Sequence, residues 1–180
     1  MIPPADGRPP LLIILIGPPA SGKTFLATRL APRLGARIVQ TDAIRKERFP
    51  RPTYSSREST VVYGVAHRRI AASLKAGRTT LFDATNLQES GRRSLYRLAE
   101  AAGARLLLLW FWTPEPVVAR RLARRRLARD PEDLSDATWA VYRQLAATAE
   151  SPHKPFVVLN GTLAIEDLVA VAERVARLRA

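Results

Sequence analysis

The stretch LLIILI (Leu11–Ile16) runs directly into GPPASGKT (Gly17–Thr24). Six consecutive apolar residues ending at a glycine read as a strand covered on both faces, because a half-exposed strand alternates. The eight residues that follow fit G-x-x-x-x-G-K-[ST] throughout, and a helical pattern begins at Lys23. Strand, loop and helix give this spacing its mechanism. The loop turns its backbone N–H groups inward, and the helix N-terminus adds partial positive charge. Lys23 supplies a point charge to the outer phosphates, the Thr24 hydroxyl a Mg²⁺ ligand, and Gly22 a close backbone approach. Gly17, Pro18, Pro19, Ala20, Ser21, Gly22, Lys23 and Thr24 are therefore expected to hold ATP or another NTP with Mg²⁺.

Beyond this unit the pattern repeats. A helix over Lys23–Leu34 is closed by Gly35, with Pro32 expected to kink or shorten it. Arg37–Val39 reads as a second strand, Thr79–Phe82 as a third, Arg105–Trp112 as a fourth and Phe156–Leu159 as a fifth. Between them the spacing predicts helices over 55–74, 88–102, 115–129 and 136–149, with a last one over 165–178. Ser55-x-x-Glu58 forms a capping box at the first of these. Continuously apolar strands separated by helices imply parallel pairing through right-handed crossovers. The expected fold is α/β, a three-layer sandwich around a five-stranded parallel sheet. Residues 1–10, with four prolines, are expected as a loose tail before a single domain over 11–180, with a helical lid at about 115–137.

In such sheets ligands bind beyond the carboxyl ends of the strands. After the second strand comes Thr41-Asp42-Ala43-Ile44-Arg45. Asp42 and Arg45, three apart, share a helix face, which suits a general base beside a clamp for acceptor or phosphate, or merely a capping Asp with a solvated Arg. After the third strand comes Asp83-Ala84-Thr85-Asn86. Asp83 stands where a Mg²⁺ ligand or an anchor for an arginine would sit, while Thr85 and Asn86 suit substrate contact or turn chemistry. Arg92 and Arg93 read as surface charge. After the fourth strand, Arg120, Arg121, Arg124, Arg125, Arg126 and Arg129 crowd one helix. Arg121, Arg124 and Arg125 converge on one face, as a lid over phosphates would require.

Composition narrows the class. The 180 residues are 47% hydrophobic, enough for a packed core, and contain no cysteine, which excludes disulfides and thiolate chemistry. The longest apolar runs, Leu11–Ile16 and Leu106–Trp112, fall far short of the roughly 20 residues that span a bilayer. No leader pattern stands at the start, so a cytoplasmic protein without membrane partners is expected. Net charge is +13, from 25 Arg and 4 Lys against 16 Asp and Glu. This favours polyanionic partners such as nucleotides or nucleic acid, or it reflects an arginine-rich composition alone.

The stretches GPPASGKT, TDAIRKERF, LFDATNLQESGRR and SDATWAVYRQ, in that order, resemble one group of P-loop kinases. The group holds polynucleotide 5′-hydroxyl kinases, chloramphenicol phosphotransferase, zeta-type toxins and, most similar, small kinases of the AAA_33-like class. The resemblance implies Asp42 as general base, Arg45 as clamp, Asp83 as organiser of the metal or of Arg45, and Arg124–Arg126, with Arg125 foremost, as source of a lid arginine. It also implies Asn86 and Arg93 on the acceptor side, with Arg121 and Arg124 at the nucleotide. The expected acceptor is the 5′-hydroxyl end of a polynucleotide, and the alternative is a small-molecule alcohol such as an antibiotic, sugar or nucleoside. A non-catalytic nucleotide-binding module is the third reading.

Overall fold

The computed structural model describes residues 9–128 and 135–178. Strands β1 (Leu11–Ile16), β2 (Arg37–Gln40), β3 (Thr80–Asp83), β4 (Arg105–Trp112) and β5 (Phe156–Asn160) form one sheet in the order β2-β3-β1-β4-β5. Every pairing is parallel. Helices α1 (Lys23–Leu34), α2 (Thr41–Arg48), α3 (Ser56–Lys75), α4 (Glu89–Ala101), α5 (Glu115–Ala128), α6 (Trp139–Ala147) and α7 (Ile165–Leu178) connect and cover the strands. The architecture is the three-layer α/β sandwich that the alternation of elements predicts.

β1 is the centre of the sheet, and all six of its side chains are buried. Leu12, Ile14 and Ile16 pack with α3 and α4, through Val62, Ile70, Leu95 and Ala99. Leu11, Ile13 and Leu15 pack on the opposite face with α1 and α7, through Leu26, Leu30, Val169 and Ala172. Each fully buried aliphatic side chain of this kind stabilises the fold by about 1.5–3 kcal/mol. The absence of polar alternation in LLIILI thus has its cause in two helical layers.

The helix ends follow local chemistry. Gly35 closes α1 in the left-handed region (φ 57), where its N–H reaches the Pro32 carbonyl. Pro32 lies in the last turn, so α1 continues through it to Leu34. Ser55 caps α3 by accepting from the Glu58 N–H. α6 starts at Trp139, three residues later than the sequence suggests, because Thr138 and not Asp136 supplies the cap. Part of the expected lid, 129–134, lies outside the described residues, as do residues 1–8 of the expected tail. Pro9 and Pro10 are not loose: the Pro10 carbonyl accepts from the Arg105 N–H at 2.8 Å. Among the described residues no helix is long and apolar enough to cross a membrane.

Candidate active site

Register places the chemistry. Leu15 and Gln40 both pair with Asp83, so the carboxyl ends of β1, β3 and β2 lie level. Gly17 follows β1 by one residue, Asp83 ends β3, and Asp42 lies two residues beyond β2. β2 and β1 flank β3, so Asp42 follows the strand on one side of Asp83 and the phosphate loop follows the strand on the other.

The loop itself is shaped by backbone conformation. Gly22 has φ 109, a left-handed value, and a Cβ there would meet only ordinary contacts with Phe111 and Arg121. Its glycine is therefore required by conformation rather than by lack of space. Ala20 takes φ 60 in the same turn. Lys23 is buried and donates to the Pro18 carbonyl at 2.8 Å and to Ser21 Oγ at 3.4 Å. Burial pushes its ammonium down to about 8, even though Asp83 and Asp42 pull the other way; Arg125 adds to the lowering. A buried cation held at a loop carbonyl and a serine hydroxyl suits binding of phosphate oxygens.

Thr24 Oγ1 donates to Asp83 Oδ2 at 2.7 Å. Burial raises the Asp83 carboxyl, against the pull of Lys23 and of the Thr24 hydroxyl. Among the described residues no three His, Cys, Asp or Glu side chains gather to hold a metal alone. A hydroxyl and one carboxylate beside a phosphate cradle nonetheless suit Mg²⁺, which takes few protein oxygens and completes its shell with phosphate and water.

Asp42 is half-buried in the first turn of α2. Burial raises its carboxyl, and Asp83 and Asp136 raise it further, while Lys23 and Arg45 oppose. Asp42 thus shares one electrostatic environment with the phosphate lysine. Arg45, one turn on, is buried. Its terminal nitrogens donate to Glu58 Oε2 and to Ser59 Oγ, each at 3.3 Å. The Tyr54 ring lies 4.7 Å from its guanidinium carbon. Its Nε is buried without a hydrogen-bond partner among the described residues.

The arginines of α5 separate in role. Arg121 donates to the Ala20 and Ser21 carbonyls at 3.2 Å and to the Gly161 carbonyl at 2.6 Å, bracing the phosphate loop from outside. Arg125 is partly buried and acts on the Lys23 charge, whereas Arg124 is exposed. Asn86 is buried in the left-handed region (φ 49), and its amide donates to the Leu15 carbonyl at 2.7 Å, which fixes the loop after β3 to β1. Arg93 is exposed on α4. Its neighbour Arg92, which reads as surface charge, is instead wholly buried. It donates to Glu89 at 2.9 Å and to the Asn86 and Glu150 carbonyls at 2.6 Å.

A family model, AAA_33, described as an AAA domain, matches residues 12–152. The chain belongs to the AAA_33 family. Solved structures share its fold. A candidate kinase from Chloroflexus aurantiacus superposes with TM-score 0.76 at 17% identity, over 96% of this chain and 99% of that one. The Mycobacterium tuberculosis APS kinase, solved with AMPPNP and APS, superposes with TM-score 0.72 at 14% identity, over 94% and 99%. A gluconokinase from Sinorhizobium meliloti gives TM-score 0.68 at 20% identity, over 96% and 95%. The fold of this AAA_33 member is thus that of the P-loop kinases. Curated relatives match over shorter segments. The tRNA dimethylallyltransferase of Sorangium cellulosum is 49% identical over 43 residues, covering 24% of this chain and 13% of that protein. That of Methylobacterium radiotolerans is 34% identical over 96 residues, covering 42% and 31%. The chain spans less than a third of the length of these relatives.

Several residues that shape the site carry no motif. Glu58 reads as a capping partner, but its carboxylate passes the helix start and accepts from the Thr53 N–H, the Thr53 hydroxyl and the Tyr54 N–H. Burial pushes this carboxyl up; those hydrogen bonds and Arg45 outweigh it and hold it below its ordinary value. The Tyr54 hydroxyl donates to Asp136 at 2.5 Å, linking the segments before α3 and α6. Gly161 follows β5 against the loop, where a Cβ would stand 2.2 Å from Thr113 Oγ1 and 2.7 Å from the Ser21 carbonyl. Only a glycine allows that approach.

Proposed function

We propose that this protein is a kinase that transfers the γ-phosphoryl group of ATP to the hydroxyl of an acceptor. The observation that carries the reading is that Asp42 lies in the electrostatic reach of Lys23 and Asp83, level with the phosphate loop. Lys23 and the inward N–H groups of Gly17–Thr24 would hold the outer phosphates. Thr24 and Asp83 would hold Mg²⁺, which when bound neutralises phosphate charge. Asp42 would take the proton of the acceptor hydroxyl as its oxygen bonds to phosphorus and the bond to the ADP oxygen breaks. Arg125 is the α5 arginine best situated to reach the phosphates, with Arg121 bracing their loop. A carboxyl with a raised pKa is a better base for an alcohol than an ordinary surface carboxylate.

Two acceptors compete. The net charge of +13 favours a polynucleotide 5′-hydroxyl, and the short matches are to enzymes named for tRNA. The fold neighbours include a gluconokinase and an APS kinase, whose acceptors are small. The charges around Asp42 favour a small alcohol.

The test is transfer from γ-labelled ATP to a 5′-hydroxyl oligonucleotide and to pooled alcohols. Lys23→Ala is expected to lose ATP binding and transfer together. Asp42→Asn is expected to lose at least about 10²-fold in transfer while ATP binding survives. ATP binding lost in the Asp42 variant would make that residue structural.

A further inference from the structure

The acceptor side of the site holds a cation that is already neutralised. Arg45 and Glu58 are paired at 3.3 Å with only 8% and 11% of their side chains exposed. The second terminal nitrogen of Arg45 is bound to Ser59, and the Tyr54 ring covers the guanidinium. Glu58 is itself fixed by three donors from Thr53 and Tyr54. A guanidinium tied in this way to a buried carboxylate offers little net attraction to an incoming anion. Among the described residues, three further carboxylates stand on this side of the site. Asp42 lies in the field of Asp83 and Asp136, and Asp136 is held by the Tyr54 hydroxyl. Lys23 and Arg125 belong to the phosphate side, where Lys23 donates to the Pro18 carbonyl and to Ser21 Oγ.

The surroundings are hydroxylic and aromatic. Ser59, Thr85, Tyr54 and Tyr63 share this region: Ser59 accepts from Arg45, the Tyr54 ring lies over the guanidinium, and Tyr63 lies in the field of both Asp42 and Arg45. The Tyr54–Asp136 link joins the segments before α3 and α6, and both groups lie in the field of Asp42. Tyr54 takes this position in the left-handed region (φ 56), a conformation that a bulky residue adopts only when held there, here by its N–H on Glu58 at 2.8 Å.

We propose that the acceptor is a small polyhydroxylated alcohol carrying no negative charge, and that Glu58 sets this preference by neutralising Arg45. Sugar hydroxyls supply donors to carboxylates and acceptors to tyrosine and serine, and an amino group on the same skeleton meets Asp136 or Asp42 favourably. A carboxylate or phosphate at the same place meets like charge, and like-charge contacts are a means of excluding partners. Glu58 acts through Arg45 and is a positioning residue. The proposal rests on the kinase reading.

The experiment uses the whole protein with Mg²⁺ and ATP. Acceptors are matched series of hexose and cyclitol skeletons bearing an amine, a hydroxyl or a carboxylate at one carbon, with a 5′-hydroxyl oligonucleotide alongside. Turnover is expected with amine or hydroxyl members, and kcat/KM at least tenfold lower for the carboxylate partner and the oligonucleotide. Glu58→Gln keeps the shape, frees the Arg45 charge, and is expected to raise the carboxylate-to-hydroxyl ratio of kcat/KM at least tenfold without moving the KM for ATP. Asp136→Asn, at an exposed position, is expected to move that ratio the same way and carries the test if the Glu58 variant fails to fold. Equal losses for every acceptor in Glu58→Gln would reduce that residue to holding the loop. A native preference for the carboxylate or the oligonucleotide overturns the charge assignment and leaves the kinase standing. ATP binding without transfer to any member overturns the kinase reading itself.

Discussion

Lys23 donates to the Pro18 carbonyl in a buried loop, and burial pushes its ammonium down to about 8 from its ordinary 10.5. The unfolded chain therefore holds this proton more tightly than the folded one. Between about pH 8 and 10.5 the nucleotide-free protein gains stability as pH rises; below pH 8 the full penalty remains. At 1.36 kcal/mol per unit this is at most about 3 kcal/mol. Lys23→Met removes it. The variant is expected to be more stable than the native protein below pH 8, with the gap closing toward pH 10.5, as read from paired urea unfolding curves. Phosphate reverses the sign, because a bound anion restores the proton. ATP affinity is expected to be level below pH 8 and to weaken by up to about tenfold per unit above it. Proton uptake in calorimetry at pH 8.5, in two buffers of different ionisation enthalpy, checks this. Asp42 is shifted the opposite way, since burial and Asp83 raise it. Its raised value favours folding while the group is protonated, and that advantage is gone once pH exceeds its folded pKa. Asp42→Asn should then raise Tm at neutral pH by a few degrees, about 2–4 °C per kcal/mol in a chain of this size, while transfer is lost.

The same arrangement of strain and burial recurs between elements. Among the described residues, the non-glycine positions with left-handed backbone are Ala20, Tyr54 and Asn86, and all three lie in loops around the site. Asn86 and Arg92 fasten the loop after β3. The first reaches β1, and the second reaches the segment after α6 through the Glu150 carbonyl. Glu150 in turn accepts from the Glu89 N–H at 2.6 Å. Arg92→Ala would leave Glu89 buried without its cation, at a loss of about 3–5 kcal/mol. Arg92→Lys keeps the charge but not the fork of three donors, and should recover only part of that in denaturant unfolding. These contacts explain what was legible in the sequence. The strand ends were readable because Gly17, Asp83 and the Gln40–Thr41 junction follow apolar runs, so the phosphate loop, Asp42 and Asp83 could be gathered at one sheet end. Arg92 could not be told from Arg93, since its partners are backbone carbonyls 6 and 58 residues away. Glu58 satisfied a capping pattern that concealed its use as the counter-ion of Arg45. The Tyr54–Asp136 link spans 82 residues and has no periodicity to reveal it.

At the scale of the molecule, the charge of +13 and the local charges of the site point in different directions. Arg120, Arg124 and Arg126 on α5, with Arg57 and Arg68 on α3, are exposed, whereas Asp83 and Glu58 are buried. The positive charge is thus largely a property of the exterior, and the acid of the acceptor side. An exterior of this kind attracts polyanions without orienting them, and such binding weakens linearly in log K against log salt as counterions are released. A labelled single-stranded oligonucleotide is therefore expected to bind at low salt and to lose about tenfold or more in affinity between 50 and 200 mM salt. It should neither displace an ATP analogue nor inhibit transfer to an uncharged alcohol. Fluorescence anisotropy across a salt series, run beside the transfer assay, measures both. Oligonucleotide binding that competes with the uncharged acceptor, or that persists at high salt, would mean that the arginine surface leads into the site and does not merely surround it.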